Sequence, residues 1–534
     1  MSMAGRLLLL AVSITVCSAE LYTALVDLEE LLESESALLH TLEDYISAQE
    51  HKLQLVKKKY LEFTSEHDEA SKDPNFYLSN PLNAFLLVKR LTVDWKDVEA
   101  TIKNDLSQEA MQNMTMLRDN LKFPTEEDLT GAAVALMRLQ DTYHLSTSSL
   151  ARGELNGVQY STQLTAADCF ELGRQSYNHQ DFYHTVLWMG EALAKHEMER
   201  NRTKVERWEI LEYLAYSTYM QGNVKNALQL TDELLTIQPS HQRALGNKKF
   251  YLAAIDQDAT PLNIQDRKST EDRPLDELPE RDVYEMLCRD AARPPGSITA
   301  QLKCRYVHHN RPYLRIAPLK EEEAYLDPRI LLYREALYDS EMDTFKRMAQ
   351  PRLRRATVQN YKTGDLEVAH YRISKSAWLK EQEDEAVARV SRRIEDMTGL
   401  TTSTAEELQV VNYGIGGHYE PHYDFARREE KNAFKSLGTG NRIATVLFYM
   451  SEVEQGGATV FPELRLSLWP EKGTAAFWMN LHSNGDGDLR TRHAACPVLA
   501  GTKWVSNKWL HERGQEFLRP CSPRSNNDVE DEER

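Results

Sequence analysis

Cationic residues are in short supply in this chain. Its 64 Lys and Arg stand against 82 Asp and Glu, a formal net charge of −18. A surface with that balance repels a phosphate backbone, which argues against a nucleic-acid binder. Long apolar runs are also missing. Leu7 to Val16 is the one candidate, and it is too short to span a bilayer. Arg6 precedes it and the small residues Cys17-Ser18-Ala19 follow, so residues 1–19 are expected to be a cleaved signal peptide. The rest would then enter the secretory pathway without a membrane span. The chain ends D-V-E-D-E-E-R, with no K-D-E-L-type retention signal. A lumenal resident of this kind would have to be held by a partner. The acid-rich tail from Asn527 to Arg534 reads as a solvated terminus.

Cysteine is sparse, 6 in 534 residues. In an oxidising lumen the cysteines beyond the leader would pair. The nearest-neighbour choice is Cys288 with Cys304 and Cys496 with Cys521, leaving Cys169 as a buried thiol in a helical pattern; spacing alone leaves the connectivity open. The sequons at Asn113 and Asn201 fit the same compartment as glycosylation acceptors.

What is present reads as about three or four domains. Residues 20–150 are helical. Leu25, Leu28, Leu32, Leu39, Leu42, Ile46, Leu53, Val56, Tyr60 and Phe63 keep a 3–4 spacing, interrupted only at Glu35 and Gln49. That is a coiled-coil seam longer than an ordinary helix, and it predicts a dimerisation region. A second helix is expected from Phe85 to Ile102. A third is expected from the capping-box-like Thr125-x-x-Asp128 to Tyr143.

Residues 151–255 hold a weak internal repeat. Leu172-Gly173, Tyr177, Asp181 and Ala192 recur as Leu214-Ala215, Tyr219, Asn223 and Leu234, followed by Pro239. Paired antiparallel helices of the tetratricopeptide type are predicted. Phe182 and Trp188 read as core. Tyr213, Tyr216 and Tyr219 share one helix face, and their hydroxyls need partners or water. With Tyr177 they suit a groove for proline-rich peptides, whose polyproline II form is already ordered before binding.

Residues 256–280 are acidic and rich in proline, a linker. From there to residue 534 the texture changes. Leu408–Tyr413, Ile443–Tyr449, Ala458–Phe461, Thr474–Met479 and Lys503–Leu510 read as short strands of a jelly roll, with a helix over 381–398 packed outside. The domain core is expected at about residues 400–520.

Within it, Y-G-I-G-G-H-Y-E-P-H-Y-D ends in His422-x-Asp424, two side chains on one face of a strand. With His493 downstream they make two imidazoles and a carboxylate. Such a facial set leaves positions open on an octahedral ion, as in non-haem Fe(II) oxygenases. Lys503 supplies a cation for the far carboxylate of an acidic co-substrate. The turn Gly456-Gly457 feeds a strand between the two halves. A zinc hydrolase could use the same three ligands, but would leave Lys503 without a role.

At these residues the chain resembles the collagen prolyl 4-hydroxylase α subunit. The phrases N-Y-G-I-G-G-H-Y-E-P-H-Y-D-F-A, G-N-R-I-A-T, G-G-A-T-V-F-P and H-A-A-C-P-V-L-A-G-T-K-W carry the likeness. So do R-I-S-K-S-A-W-L and, in the helical region, M-R-L-Q-D-T-Y, so the likeness extends over almost the whole chain. The resemblance implies a multidomain α+β protein with a double-stranded β-helix. Iron would be held by His422, Asp424 and His493, with Lys503 on the C5 carboxylate of 2-oxoglutarate. It implies that His511 assists co-substrate binding and decarboxylation, and that Tyr413, Tyr449, Asn507 and Trp509 line the co-substrate pocket. It carries groove roles onto Tyr177, Tyr213, Tyr216, Tyr219 and Arg243. Phe250 departs, standing where vertebrate members have tyrosine. The Cys288–Cys304 and Cys496–Cys521 pairs gain support from the resemblance.

It further implies procollagen-proline 4-dioxygenase activity: hydroxylation at C4 of proline in X-Pro-Gly repeats, 2-oxoglutarate being decarboxylated to succinate and CO2, with ascorbate required. The family partner is protein disulfide isomerase as β subunit of an α2β2 assembly, which would hold the chain in the endoplasmic reticulum lumen. A prolyl hydroxylase of other secreted proline-rich proteins and a non-catalytic scaffold for proline-rich chains are the alternatives; the scaffold has no use for an intact triad.

Overall fold

The computed structural model of the protein describes residues 21–199, 204–256, 280–359, 366–368, 371–430, 433–435 and 437–522. The expected signal peptide, Asn201, nearly all of the 256–280 linker and the acidic tail lie outside the described residues. The chain divides into two compact units, Asp27–Thr125 and Met1–Val26 with Glu126–Arg534.

The first unit is helical. Helix α1 (Leu25–Lys72) runs 48 residues. Its heptad positions Leu32, Leu39, Leu42, Ile46, Leu53 and Tyr60 are all exposed, Leu32 and Tyr60 to 66%. The expected second helix is divided into Pro81–Lys89 and Trp95–Lys103 by a π-helical turn at Arg90–Asp94. There Arg90 is buried and paired with Glu66. Asn113 is exposed on the helix Ser107–Asn120.

The second unit begins its described helices with α2 (Glu126–Tyr143). Five helices follow in the repeat region: α3 (Ala166–Asn178), α4 (Phe182–Glu199), α5 (Arg207–Met220), α6 (Val224–Ile237) and α7 (Gln242–Asp256). Thr165 and Asp168 close a capping box at the start of α3. This satisfies two amides that the first turn would otherwise leave open. Trp188, Met189 and Ala192 of α4 pack with Ile210 and Leu214 of α5 and with Ala133 and Met137 of α2, which ties α2 to the repeat.

Among the described residues, the β-rich region holds a large and a small antiparallel sheet and two two-stranded ladders, Gln455–Gly456 with Val498–Ala500 and Thr357–Gln359 with Leu366–Val368. In chain order the strands of the two main sheets are β1 (Cys304–Val307), β2 (Leu319–Tyr325), β3 (Ile330–Arg334), β4 (Arg354–Arg355), β5 (Lys375–Leu379), β6 (Leu408–Asn412), β7 (Tyr419–His422), β8 (Arg442–Tyr449), β9 (Thr459–Phe461), β10 (Leu466–Leu468), β11 (Ala475–Met479), β12 (His493–Ala495) and β13 (Trp504–His511). The large sheet has order β1-β2-β3-β11-β8-β13-β6-β5-β4; the small one is β7-β12-β9-β10. Strand β8 reads almost without interruption as apolar because it lies between β11 and β13 and is buried along nearly its whole length. One face of the large sheet meets the small sheet through Val411, Leu447, Trp478, Phe461 and Ala495. The other is covered by the helix Glu385–Thr398, through Val387, Val390, Ile394 and Met397. The strands β1–β5, which extend the large sheet, were not expected from the sequence.

The cysteine pairing corrects the expectation. Cys288 is bonded to Cys496, with Cα atoms 5.6 Å apart. Cys304 and Cys521 are free and exposed, and Cys169 is free and buried, as expected. The reason is packing. Helix α8 (Arg281–Cys288) buries Tyr284 and Leu287 against Val460, Ala494 and Leu499, and so delivers Cys288 to the small sheet. Cys304 instead begins the edge strand β1.

Candidate metal centre and peptide face

Strands β7 and β12 pair so that His422 and His493 stand directly opposite one another. Asp424 follows just past the end of β7 and turns back to them. Its carboxylate oxygens lie 3.8 Å from His422 Nε2 and 3.5 Å from His493 Nε2. One ligand atom from each of the three falls within 4.8 Å of the others. Each imidazole points its other nitrogen at a backbone carbonyl: His422 Nδ1 is 2.8 Å from Glu420 O, and His493 Nδ1 is 3.0 Å from Thr491 O. Those carbonyls fix Nδ1 as the protonated nitrogen and leave both Nε2 lone pairs facing the shared space.

The electrostatics favour a cation there. Burial disfavours the imidazolium form of His422, and the neighbouring His493 adds to that, so its pKa falls well below the ordinary range. Burial by itself would raise the Asp424 pKa. His493, His422, Arg442 and a hydrogen bond from Thr445 outweigh it and hold the carboxyl at about 2. Two imidazoles with their Nε2 atoms turned to one point and a carboxylate held ionised, with open space beside them, fit Fe(II).

The cavity at the triad is lined by Arg372, Tyr413, Thr459, Lys503, Asn507 and Trp509 among others. Lys503 is 1% exposed. Its ammonium donates to the Gly457 carbonyl at 2.6 Å and lies 4.8 Å from the centre of the Tyr413 ring. Burial brings its pKa down to about 7. A larger cleft, about 1000 Å³, opens alongside. Tyr423, Phe425, Phe434, Arg427, Arg428 and Arg492 help to line it, and none of the triad does.

Two expected pocket residues sit one step back. The Tyr449 hydroxyl donates to Thr459 Oγ1 at 2.9 Å, and it is Thr459 that faces the cavity. His511 does not line it either. Wholly buried at the end of β13, it contacts the Gly440 carbonyl, 2.8 Å from Nδ1, and Glu406, 3.1 Å from Nε2. Glu406 pairs with Arg442, whose guanidinium donates to the Asp424 carbonyl. His511 thus reaches the triad only through other side chains, because β13 carries it past the cavity, level with Arg442.

Sequence reasoning missed the shell behind Asp424. Thr445 donates to Asp424 Oδ2 at 2.7 Å, and Asn480 donates to Thr445 at 2.9 Å. The available signal was one hydroxyl inside the apolar strand R-I-A-T-V-L-F-Y. Arg372 was also missed. It lies 4.7 Å over the Tyr419 ring, which stacks on His422 at 3.5 Å.

In the repeat region the predicted tyrosines come together. Tyr177 packs edge-on against Tyr213 at 4.9 Å and Tyr216 at 5.8 Å, and Tyr219 stacks on Tyr251 at 4.9 Å. Arg243 reaches the Tyr177 hydroxyl at 3.5 Å. Phe182 departs from its expected core role: it is half-buried and joins the cluster beside Tyr177 and Tyr216. Trp188 is fully buried, as expected. Phe250 is 56% exposed and packs against Tyr219.

Known proteins match this arrangement region by region. Residues 24–157 match the prolyl 4-hydroxylase alpha-subunit N-terminal region. Residues 166–257 match the prolyl 4-hydroxylase peptide-substrate-binding domain, and residues 408–511 match the 2OG-Fe(II) oxygenase superfamily. The chain is 49% identical over 511 residues to prolyl 4-hydroxylase subunit alpha-1 of Homo sapiens, covering 94% of this chain and 95% of that one. It is 50% identical over 511 residues to prolyl 4-hydroxylase subunit alpha-2 of Caenorhabditis elegans, covering 94% and 93%. With all three regions matched in order, and the iron-type triad in the region that matches the 2-oxoglutarate oxygenases, the chain belongs to the prolyl 4-hydroxylase alpha-subunit family.

Proposed function

We propose that the chain is a procollagen-proline 4-dioxygenase that hydroxylates C4 of proline in X-Pro-Gly repeats. The observation that carries this reading is the placement of His422, Asp424 and His493 around one point, with a buried lysine in the same cavity. Iron(II), 2-oxoglutarate and O2, when bound, would supply the oxidising chemistry: one oxygen atom of O2 enters succinate as 2-oxoglutarate loses CO2, and the other becomes the hydroxyl that replaces a hydrogen on proline C4.

The protein's own residues do the rest. His422, Asp424 and His493 hold the ion, and the carbonyls of Glu420 and Thr491 keep both Nε2 atoms turned toward it. Lys503 anchors the far carboxylate of 2-oxoglutarate, which Tyr413, Asn507 and Trp509 help to enclose. Arg442, Glu406 and His511 position the Asp424 backbone from behind; His511 is assigned here to positioning. The aromatic face of Tyr177, Tyr213, Tyr216 and Tyr219 with Arg243 holds a proline-rich stretch of substrate. Phe250 at its edge lacks a hydroxyl, a difference that bears on peptide preference and not on the groove itself.

The exposed heptad leucines of α1 support self-association through a coiled coil. The partner we propose is protein disulfide isomerase, as β subunit of an α2β2 assembly that retains the chain in the endoplasmic reticulum lumen. Asn113 and Asn201 would carry glycans there. Ascorbate would keep the iron reduced across uncoupled turnovers.

The test is 2-oxoglutarate decarboxylation by the chain co-expressed with protein disulfide isomerase. It is run with and without a Pro-Pro-Gly repeat peptide, beside Asp424→Ala. Peptide-stimulated CO2 release with 4-hydroxyproline formed, both lost in the variant, is the expected result. Iron-loaded, assembled protein that binds peptide but releases no CO2 overturns it and leaves a scaffold.

A further inference from the structure

Helix α2 ends in M-R-L-Q-D-T-Y, residues 137–143, a run to which the proposed reaction gives no role. In the fold it lies between the helical repeat and the β-rich region. Asp141 pairs with His184 of α4 at 3.2 Å. Toward the β-rich side, the Thr142 carbonyl accepts from Arg289 at 2.6 Å, and Leu139 lies against Gly416 of the metal motif.

The last residue of the run reaches furthest. Tyr143 is buried, and its hydroxyl donates to the Pro497 carbonyl at 2.5 Å. That same carbonyl accepts from the Gly457 amide at 3.0 Å. The other end of the Gly457 residue, its carbonyl, accepts from the Lys503 ammonium at 2.6 Å. Phenol, carbonyl, glycine and ammonium therefore form one connected chain. The turn leaves no slack. Gly456 and Gly457 have φ of +78° and +70°, and a Cβ on Gly456 would stand 2.5 Å from the Tyr143 oxygen. Among the described residues, Gly457 O is the one protein acceptor hydrogen-bonded to the Lys503 ammonium. Where that carbonyl sits decides where the ammonium sits.

We propose that Tyr143, in the helical region outside the oxygenase sheets, is a positioning residue for the co-substrate anchor: through Pro497 and Gly457 it holds Lys503 in place. The proposal rests on the reading of Lys503 as the anchor for 2-oxoglutarate. It makes α2 a working part of the co-substrate site as well as a link between domains.

The variant is Tyr143→Phe in the full-length chain assembled with its partner. It keeps the ring and its packing and removes only the hydroxyl. Pro497 still accepts from Gly457, so the turn survives with one restraint fewer. Lys503→Ala is measured beside it. The readouts are 2-oxoglutarate affinity of manganese(II)-loaded protein, amide hydrogen exchange across Gly456–Gly457–Ala458 in protein without co-substrate, and steady-state constants.

Loss of one such hydrogen bond is expected to weaken 2-oxoglutarate binding about fivefold to tenfold. Exchange at the turn should accelerate. The peptide KM should not move, and kcat at saturating 2-oxoglutarate should stay within about twofold, because the removed interaction is made equally before and during reaction. Unchanged 2-oxoglutarate affinity in Tyr143→Phe, with affinity lost in Lys503→Ala, overturns the proposal and leaves the anchor standing. A joint fall in kcat, peptide affinity and melting temperature also overturns it, since Tyr143 would then serve packing alone. Affinity retained in Lys503→Ala overturns the anchor reading and this proposal together.

Discussion

His422 and His493 are direct cross-strand partners in the small sheet, their ring centres 4.4 Å apart. The metal centre is thus built on a β-ladder, with Asp424 added at the end of one strand. A ladder resists rearrangement because moving one histidine means breaking backbone hydrogen bonds. The shell behind Asp424 is the part open to graded change. Thr445→Val removes the hydroxyl on Asp424 Oδ2 with little change in side-chain volume. Loss of such an outer contact is expected to lower iron affinity about 10- to 100-fold. Activity titrated against added Fe(II) reads this directly; unchanged iron dependence would remove Thr445 from the centre.

The pH dependence of 2-oxoglutarate binding should follow Lys503. Burial disfavours the ammonium, bringing its pKa to about 7 before co-substrate arrives. A dianionic co-substrate binds the charged form. Affinity should therefore be greatest below pH 7 and fall above it, approaching about tenfold per unit where the free lysine is neutral and the bound one is not. KM for 2-oxoglutarate measured from pH 6 to 9 tests this. A flat profile would mean that Lys503 keeps its charge across this range or that the carboxylate is held elsewhere, and Lys503→Ala separates the two.

His184 ties folding stability to pH. It is 2% exposed, with Asp181 and Asp141 at 2.7 and 3.2 Å. Burial lowers its pKa, but hydrogen bonds and charge from the two aspartates raise it more, to about 9. The unfolded value is near 6.5. The histidine's contribution is then fully present below about pH 6.5 and lost as pH rises through 9, with an upper limit of roughly 3 kcal/mol. His184→Gln should destabilise most at pH 6 and least at pH 9.5. Melting curves of both proteins at the two pH values decide it, and an equal deficit at both contradicts the pairing.

Removing the Cys288–Cys496 bond should cost about 2–5 kcal/mol, since it closes a sequence separation of 208 residues. Cys288→Ser and Cys496→Ser are expected to melt lower, whereas Cys304→Ser and Cys521→Ser should melt like wild type. Peptide mapping without reduction must recover Cys288 joined to Cys496. Cys288 joined to Cys304 would refute this pairing.

On the peptide face, Tyr216→Ala takes away contacts with Tyr177, Phe182 and Tyr219. It also takes away the ring that would pack on a bound proline, a contact worth about 0.5–1.5 kcal/mol, so affinity for a proline-rich peptide should fall several-fold. Equilibrium binding measures it. The co-substrate KM should be indifferent to the change, and a matching shift there would point to a general defect.

Sequence by itself determined the parts that depend on local pattern. The long heptad helix, the paired helices with a tyrosine stripe, and the strands ending in His422-x-Asp424 are written in periodicities of 3.5, 3.6 and 2, which neighbours along the chain enforce. The ligand types were legible because few residue types can hold such an ion; that Lys503 lies buried beside them only the fold revealed. What only the tertiary structure decided was which distant segments meet. Cys288 found Cys496 because helix α8 buries Leu287 on the small sheet, and sequence distance carries no trace of that packing. His511 fell outside the cavity because β13 continues past it, and Phe182 joined the tyrosines because α4 begins beside Tyr177. Thr445 behind Asp424 and Tyr143 behind Gly457 act across loops and sheets, where position is set by the sum of many burial contacts rather than by any local rule.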